Sequence, residues 1–150
     1  MILADLEWFP PRIMRTYPHL LAEDALVWSA YLQTAPILPQ RVAYDVHVGT
    51  AAPTTFSGDT MLPILSAALT RKRIDVVAAY AAQIHVIELK PYTTHSTIGQ
   101  VMMYAELFQE EFHPPQPVAA AIICFGFDLD VPAFAARHQV LLLQVANPNP

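Results

Sequence analysis

Charge is the scarcest property of this sequence. Of its 150 residues, 8 are lysine or arginine and 13 are aspartate or glutamate, so charged residues make up 14% and the formal net charge is −5. The usual charged share is roughly a quarter. So few basic residues exclude the broad basic surface that wraps long duplex DNA through many phosphate contacts. A small metal site built from carboxylates stays compatible with this composition.

The chain also lacks a long uninterrupted apolar run and has only one cysteine. Its longest stretches without charge, Ala25 to Gln40 and Phe112 to Phe127, are interrupted by prolines, and neither offers the roughly 18 apolar residues of a membrane helix. The first residues include two acidic groups and no early basic group, which is not typical of a signal peptide. Cys124 has no partner for an internal disulfide, as expected in a reducing cytosol. We therefore expect a cytoplasmic protein that does not bind a membrane.

Hydrophobic residues are abundant, at 54%, which is enough to build a buried core. The length suits one domain over 1–150, with an irregular segment over 1–18 and a loose tail over 146–150. Periodicity predicts alternating helices and strands, which is typical of an α/β fold with a central mixed sheet flanked by helices. The predicted helices are His19–Gln33, Met61–Thr70, Ser96–Phe112 and Val131–His138, and the predicted strands are Arg41–Val48, Arg73–Tyr80, Gln83–Lys90, Pro117–Phe125 and Gln139–Val145.

The second and third predicted strands form a hairpin that carries the most informative pattern. Antiparallel pairing about its two-alanine turn places Asp75 opposite Glu88, and the alternation of side chains puts Lys90 on the same face. Facing Cβ atoms lie roughly 5 Å apart, where like charges are destabilising. A divalent cation between the carboxylates would reverse that penalty, and Mg²⁺, which takes one or two carboxylates with waters and phosphate oxygens, suits the pair best. The alternative is a strand-end ion pair in which Lys90 neutralises both carboxylates without catalysis.

The segments RIDVVAAY and IHVIELKP, followed by a helix that begins STIGQVMMYAELF, resemble the PD-(D/E)XK nuclease superfamily, in particular its small single-domain phage and bacterial members. The resemblance implies a restriction-endonuclease-like core and Mg²⁺-dependent cleavage of DNA, with Mn²⁺ as a substitute. It implies that Asp75 and Glu88 bind the metal, with the carbonyl of Leu89 as a further ligand. Lys90 would position or activate the attacking water. Ile74 stands where the family motif has proline.

The same resemblance implies contributions from two helices. Gln100 falls where the family has a helix glutamine, and Tyr104 lies one turn later on the same face. In the family an earlier helix often supplies an acidic residue. Glu23 and Asp24 are adjacent and point in different directions, and the prediction favours Glu23.

Basic residues near the hairpin are candidates for contact with nucleic acid. Arg71, Lys72 and Arg73 directly precede the strand of Asp75, where they could meet a phosphate backbone or form a solvated loop. His95, predicted in the loop after Lys90, is a further candidate for a phosphate contact.

Two functions of different classes remain open at this stage. The first is a Mg²⁺-dependent nuclease that acts on short or structured DNA. The second is a catalytically silent nuclease-like module that serves in binding or in the assembly of a homo-oligomer, which would suit the low basic content and the high apolar fraction. The fold does not separate the two, because function resides in the site.

Overall fold

The computed structural model describes residues 1–51 and 70–150, and every structural statement below concerns those two ranges. The predicted helix Met61–Thr70 lies outside the described residues except for its last residue. The observed strands are β1 (Arg41–Val48), β2 (Lys72–Ala79), β3 (Ile84–Thr93), β4 (Val118–Phe127) and β5 (Leu141–Gln144), and the α-helices are α1 (Ala22–Thr34), α2 (His95–Phe112) and α3 (Val131–Arg137).

The five strands form one sheet in the order β1-β2-β3-β4-β5. Neighbouring strands from β1 to β3 are antiparallel, whereas β3, β4 and β5 are parallel. The long connection between β3 and β4 contains α2, as a crossover between parallel strands requires. The predicted α/β class with a mixed sheet flanked by helices is confirmed.

Helices cover both faces of this sheet. On one face, Val101 and Phe108 of α2 pack with Val77 of β2 in a buried cluster that α3 also joins. On the other face, Val27 and Trp28 of α1 pack against a second buried cluster. Because helices cover both faces of β2 and β3, side chains on both faces are buried, and the sequences of these strands are therefore almost continuously apolar.

Two boundaries differ from the predicted ones near the hairpin. β3 continues beyond Lys90 to Thr93, although Pro91 has no backbone N–H to donate. The pairing with β4 passes over this proline, with Lys90 opposite Cys124 and Tyr92 opposite Gly126. His95 is consequently the first residue of α2 and does not lie in a loop.

The N-terminal segment is largely irregular, as predicted, but it contacts the sheet. After a short 3-10 turn at Leu3–Asp5, Phe9 pairs with Val42 through two backbone hydrogen bonds of 2.7 and 2.9 Å. This contact covers part of the free edge of β1, which would otherwise be open to pairing with another chain. Among the described residues, no helix has the length and apolar character needed to cross a membrane.

A buried hydrogen bond anchors α1 on the sheet. The indole N–H of Trp28, which is fully buried, donates to the hydroxyl of Tyr44 on β1 at 2.9 Å. The tyrosine ring also meets the rings of Phe9 and Tyr17 at centroid distances of 5.5 and 5.4 Å. This contact holds the helix that begins two residues before Asp24.

We expect Tyr44→Phe to lower the free energy of unfolding by about 1–3 kcal/mol, because the buried indole N–H of Trp28 would lose its partner. Urea denaturation measures this change. Tyr31→Phe is the matched control, since its partner Tyr80 is only partly buried and can turn to water. Equal losses in the two variants would show that the Trp28 bond has no special weight.

Candidate metal centre

The regular alternation of side chains between the two faces of the sheet is interrupted in two neighbouring strands, β1 and β2, at the candidate site. Asp45 has a φ of +53°, a left-handed conformation that aspartate tolerates better than most residues. On either side of it, Tyr44 pairs with Val76 and Val46 pairs with Ile74, so Asp45 lies opposite Asp75. At this point the even-numbered side chains of β1 switch from the α1 face to the α2 face, and those of the antiparallel β2 switch from the α2 face to the α1 face. The regular alternation that the sequence predicts for β2 therefore ends at Asp75.

Asp75 uses this break to bond with the neighbouring strand. The predicted hairpin register is confirmed from Ala79 opposite Ile84 to Val76 opposite Ile87. Beyond that pair, a carboxylate oxygen of Asp75 accepts the backbone N–H of Leu89 at 2.9 Å. The Asp75 carboxylate thus accepts the hydrogen bond that a backbone carbonyl would accept in a regular sheet. This bond holds the carboxylate between β2 and β3, beside Glu88.

Glu88 is more deeply buried than the nearby Asp24, Asp45 and Asp75, with 2% of its surface exposed. The side-chain amide of Gln100 on α2 donates to its Oε2 at 3.2 Å, and the same amide lies 3.3 Å from the hydroxyl of Tyr104. The other carboxylate oxygen, Oε1, is buried and has no hydrogen-bond partner within residues 1–51 and 70–150. A buried carboxylate oxygen without a partner is costly unless something else binds it.

The electrostatics of the pair follow from this burial. Burial raises the pKa of Glu88, the charge of Asp75 raises it further, and Lys90 lowers it. Burial likewise raises the pKa of Asp75, against the lowering effects of the Leu89 N–H and of Lys90. Without a cation the two carboxyl groups therefore retain a proton at a pH where an exposed pair would have lost both.

Lys90 lies near these carboxylates without forming an ion pair with them. Its charge lowers the pKa of Asp75 and of Glu88, yet the ion pairs within the described ranges involve Asp45 and Glu111 instead. The side chain is half-buried, so its ammonium group can meet solvent. This arrangement does not match the strand-end ion pair that the sequence left open.

Of the two adjacent acidic residues at the start of α1, the structure places Asp24 nearer the charges of Asp75 and Lys90, whereas the sequence prediction favoured Glu23. Asp24 is 6% exposed, and Glu23 is exposed. Burial raises the pKa of Asp24 to about 6; the charge of Asp75 raises it further, and the charge of Lys90 lowers it. Asp24 therefore interacts electrostatically with Asp75 and Lys90, two of the residues around Glu88. Its place on the buried face, three and four residues before Val27 and Trp28, was a periodic signal that could have identified it.

The basic residues before β2 are engaged within the protein. Arg71 donates to the carbonyls of Gly49 and His47 and pairs with Glu111 of α2. Arg73 donates to Asp45 at 2.6 Å. Both guanidinium groups, predicted as contacts for nucleic acid, thus have partners in the fold, while Lys72 has no such ion pair within the described ranges.

His95 lies apart from this network. It is exposed at the start of α2 and borders a cavity of about 260 Å³ with Asp128, Asp130 and Arg137.

The sequence prediction did not include Asp45 in the site. Its carboxylate contacts Arg73 and lies 3.7 and 3.4 Å from the Nε2 atoms of His19 and His47. It also raises the pKa of Asp75 from the adjacent strand. No sequence motif marks Asp45, because its proximity to Asp75 depends on the pairing of β1 with β2.

The candidate donors, Asp75 and Glu88, offer carboxylate oxygens, the ligand type that a magnesium-type ion takes. Within the described part of the chain, no three side chains of His, Cys, Asp or Glu form a metal-binding group. Mg²⁺ needs only one or two carboxylates, with waters and phosphate oxygens in its other positions. Asp75 and Glu88 supply that minimum, and the unpartnered Oε1 of Glu88 is free to bind a cation.

Comparisons with known proteins add a partial structural likeness. No protein-family model matches the chain, and no curated protein matches it in sequence. Part of the fold is similar to the crystal structure of a repair endonuclease from Pyrococcus abyssi, with 17% sequence identity and a TM-score of 0.44. The match covers 51% of this chain and 34% of that one, so the chain spans about a third of the endonuclease.

We expect the free energy of unfolding in the presence of a chelator to fall as the pH rises from about 4, the ordinary pKa of a carboxyl group, and to go on falling above about 6.5, where an ordinary histidine no longer takes up a proton. The raised pKa values of Asp75 and Glu88 mean that the native state binds protons that the unfolded state has already released. Their contribution is full below the unfolded pKa and is lost as the pH passes the native pKa, a fall of roughly 1–3 kcal/mol. Urea denaturation at several pH values measures it.

Glu88→Gln should flatten this dependence, whereas Glu106→Gln, a matched change on the exposed side of α2, should leave it intact. His85 does not interfere, because burial lowers its pKa and its protonation affects stability only at lower pH. If the free energy of unfolding of Glu88→Gln fell with pH as steeply as that of the unchanged protein, the idea that Asp75 and Glu88 retain a proton in the native state would be wrong.

Proposed function

We propose that this protein is a metal-dependent nuclease of the PD-(D/E)XK type that hydrolyses phosphodiester bonds of DNA. The observation that carries the proposal is the pairing of half-buried Asp75 with buried Glu88, which has one carboxylate oxygen without a partner among the described residues and has Lys90 nearby. This pair is destabilised as long as both groups are charged and uncompensated. A built-in electrostatic cost of this kind is typical of functional sites.

Asp75 and Glu88 would hold Mg²⁺ or Mn²⁺, with the carbonyl of Leu89 as a proposed further ligand. When bound, such a cation polarises the scissile phosphate and favours ionisation of the attacking water. The bond from the Leu89 N–H fixes the Asp75 carboxylate, and the amide of Gln100 fixes Glu88. Both carboxylates are thereby oriented before substrate arrives, which is the condition for electrostatic catalysis.

Lys90 acts on the substrate side of this arrangement. Its half-buried ammonium group can donate to the attacking water or to a non-bridging phosphate oxygen, where negative charge grows in the transition state. Asp24, Asp75 and Glu88 leave the site negative even with Lys90 counted, so an unneutralised site repels a polyanion. The proposed cation is therefore needed for binding DNA as well as for cleaving it.

DNA contact beyond this point is expected to be local. Arg71 and Arg73 have internal partners, which leaves Lys72 and His95 as the predicted contacts without such an ion pair in the described ranges. A small positive footprint suits short or structured DNA, because affinity for long duplexes depends on the number of phosphate contacts.

The second candidate is a catalytically silent module that serves in binding or in assembly. The internal pairing of Arg71 and Arg73 favours it, because it removes two of the three basic residues predicted to meet nucleic acid. Calorimetry with Mn²⁺ separates the two functions. Tight binding of the ion supports the nuclease, and no binding supports the silent module.

We expect Lys90→Ala to lower the rate of DNA cleavage by about 10²–10³-fold, as the loss of one preorganised donor does in other enzymes. The assay incubates single-stranded, duplex and branched DNA with Mg²⁺ or Mn²⁺. Arg15→Ala, which removes an exposed positive charge, is the matched control and should cleave like the unchanged protein. No cleavage of any substrate, or equal cleavage by Lys90→Ala, would refute the proposal.

The two adjacent acidic residues of α1 provide a separate test of metal binding. Asp24→Asn removes a buried negative charge near Asp75, which at an effective dielectric of about 20 is worth roughly 1–2 kcal/mol, or about tenfold in Mn²⁺ affinity. Glu23→Gln removes an exposed charge and should leave the affinity nearly unchanged. Isothermal titration calorimetry compares the two, and an equal effect would show that Asp24 has no special place in the site.

A further inference from the structure

The C-terminal end of β3 carries an exposed aromatic ring. Tyr92 lies two residues after Lys90, about 7 Å along the strand, and the alternation of side chains places it on the same face as Lys90 and Glu88. The pairing with β4 is continuous here, with Lys90 opposite Cys124 and Tyr92 opposite Gly126, so no bulge turns the ring to the other face. Tyr92 is 58% exposed, and within residues 1–51 and 70–150 every other Phe, Trp or Tyr is buried or half-buried.

Two contacts fix the orientation of this ring. The hydroxyl of Tyr92 donates to a carboxylate oxygen of Asp128 at 2.8 Å. The ring also lies close to Gly126, where an added Cβ atom would come within 3.3 Å of Tyr92 Cδ2, so the missing side chain allows the ring to approach β4. One side of the ring therefore faces the sheet, and the exposed side is held in place before any ligand arrives, which lowers the cost of binding.

The polar group of Tyr92 is already used, which leaves the flat side of the ring for a ligand. The hydroxyl hydrogen is donated to Asp128, so a phosphate group, which only accepts hydrogen bonds, finds no free donor on this side chain. Leu129, the residue after Asp128, is 95% exposed and adds apolar surface at the end of β4. The ring is therefore suited to a flat group with an apolar face.

A nucleobase next to the cleaved bond has this character. If Lys90 contacts the scissile phosphate, the same strand brings a neighbouring nucleotide within reach of Tyr92, because about 7 Å along β3 equals roughly two base steps of 3.4 Å. Inside a duplex, both faces of each base are covered by the bases above and below it. Only an unpaired base or the last base of an end can therefore place its face on the ring.

We propose that Tyr92 stacks against an unpaired base beside the scissile phosphate, so that the preferred substrate is single-stranded DNA or the single-stranded part of a branched molecule. This inference rests on the proposed function, because the proposed cation and Lys90 bring the strand to this end of β3. Stacking of a base on an aromatic ring adds affinity without a phosphate contact, which suits a chain with so few basic residues.

The binding test uses a short oligothymidylate in which alternate bases are 2-aminopurine, whose fluorescence falls when it stacks on an aromatic ring. Binding is measured with Mg²⁺ in Lys90→Ala, so that the strand stays intact. We expect this single strand to bind about tenfold tighter than its blunt duplex, with quenching of the fluorescence, and added Tyr92→Ala to remove the quenching and most of that preference. Added Tyr92→Phe, which keeps the ring, should retain both.

Two controls separate stacking from other roles of Tyr92. Stacking releases no counterions, so Tyr92→Ala should weaken binding equally at every salt concentration and leave the slope of log K against log salt unchanged. Ile13→Ala, which removes a comparably exposed apolar side chain from the N-terminal segment, should leave both affinity and quenching unchanged. The unfolding temperature should be the same in all these variants, because both side chains are exposed.

Cleavage assays distinguish a failure of this inference from a failure of the nuclease proposal. If the protein cleaves DNA and Tyr92→Ala, with Lys90 present, cleaves single strands and duplexes at unchanged rates, the stacking is wrong and the nuclease proposal remains. If the unchanged protein cleaves nothing but quenches the probe through Tyr92, the nuclease proposal is wrong and the stacking remains.

Four results of the binding test would overturn the inference. They are equal affinity for single strand and duplex, quenching that survives Tyr92→Ala, a loss in Tyr92→Phe as large as in Tyr92→Ala, and a salt slope that changes with Tyr92→Ala. A concentration-dependent dimer that Tyr92→Ala disrupts, without any quenching of the probe, would also overturn it and assign the exposed ring to a contact with a second copy of the chain.

Discussion

The hydrogen bond from the Leu89 N–H to the carboxylate of Asp75 is the constraint on which the candidate metal centre depends. It replaces a strand-to-strand bond at the place where the pairing of β2 with β3 stops. Because a side chain fills that place, a charged group is held in the sheet interior, where a carboxylate would otherwise not be stable. Asp45, in its left-handed conformation, produces the matching distortion in β1. The strand geometry and the acidity of the site are thus two aspects of one local departure from regular β structure.

The distribution of charge follows from the scarcity of basic residues. Arg71 links the residues at the end of β1 to α2 through Glu111, and Arg73 neutralises Asp45. These two cations therefore stabilise the packing of β1, β2 and α2 around the candidate site. Lys90 remains as the positive charge among Asp24, Asp75 and Glu88. An acidic protein can accept a polyanion at such a point only if a further cation is present, which links the composition of the chain to the proposed metal dependence.

One structural element, α1, brings an acidic residue to the carboxylates of the sheet. Asp24 lies on the buried face of this helix, and its pKa responds to the charges of Asp75 and Lys90. The buried hydrogen bond between Trp28 and Tyr44 lies one helical turn after Asp24. The same packing that holds the helix on the sheet therefore sets the position of Asp24.

Much of the fold could be predicted from the sequence, because the relevant signals are local. A period of two residues and a tight turn determined the hairpin register, and with it the neighbourhood of Asp75, Glu88 and Lys90. Helical spacing placed Gln100 and Tyr104 on one face, and their shared hydrogen bond agrees with it. The choice between Glu23 and Asp24 was also available from periodicity, since Asp24 shares the buried face of α1 with Trp28.

Tertiary structure alone decided the remaining features, because they join residues that are far apart in the chain. The partners of Arg71 and Arg73 are 40 and 28 residues away, and no local pattern predicts which carboxylate a guanidinium will meet. The break at Asp45 and Asp75 requires two paired strands, and the unpartnered oxygen of Glu88 requires the helix that binds its other oxygen. The sequence by itself thus determined which charged groups share one hairpin, whereas long-range packing determined which of them were neutralised and which were left without a partner among the described residues.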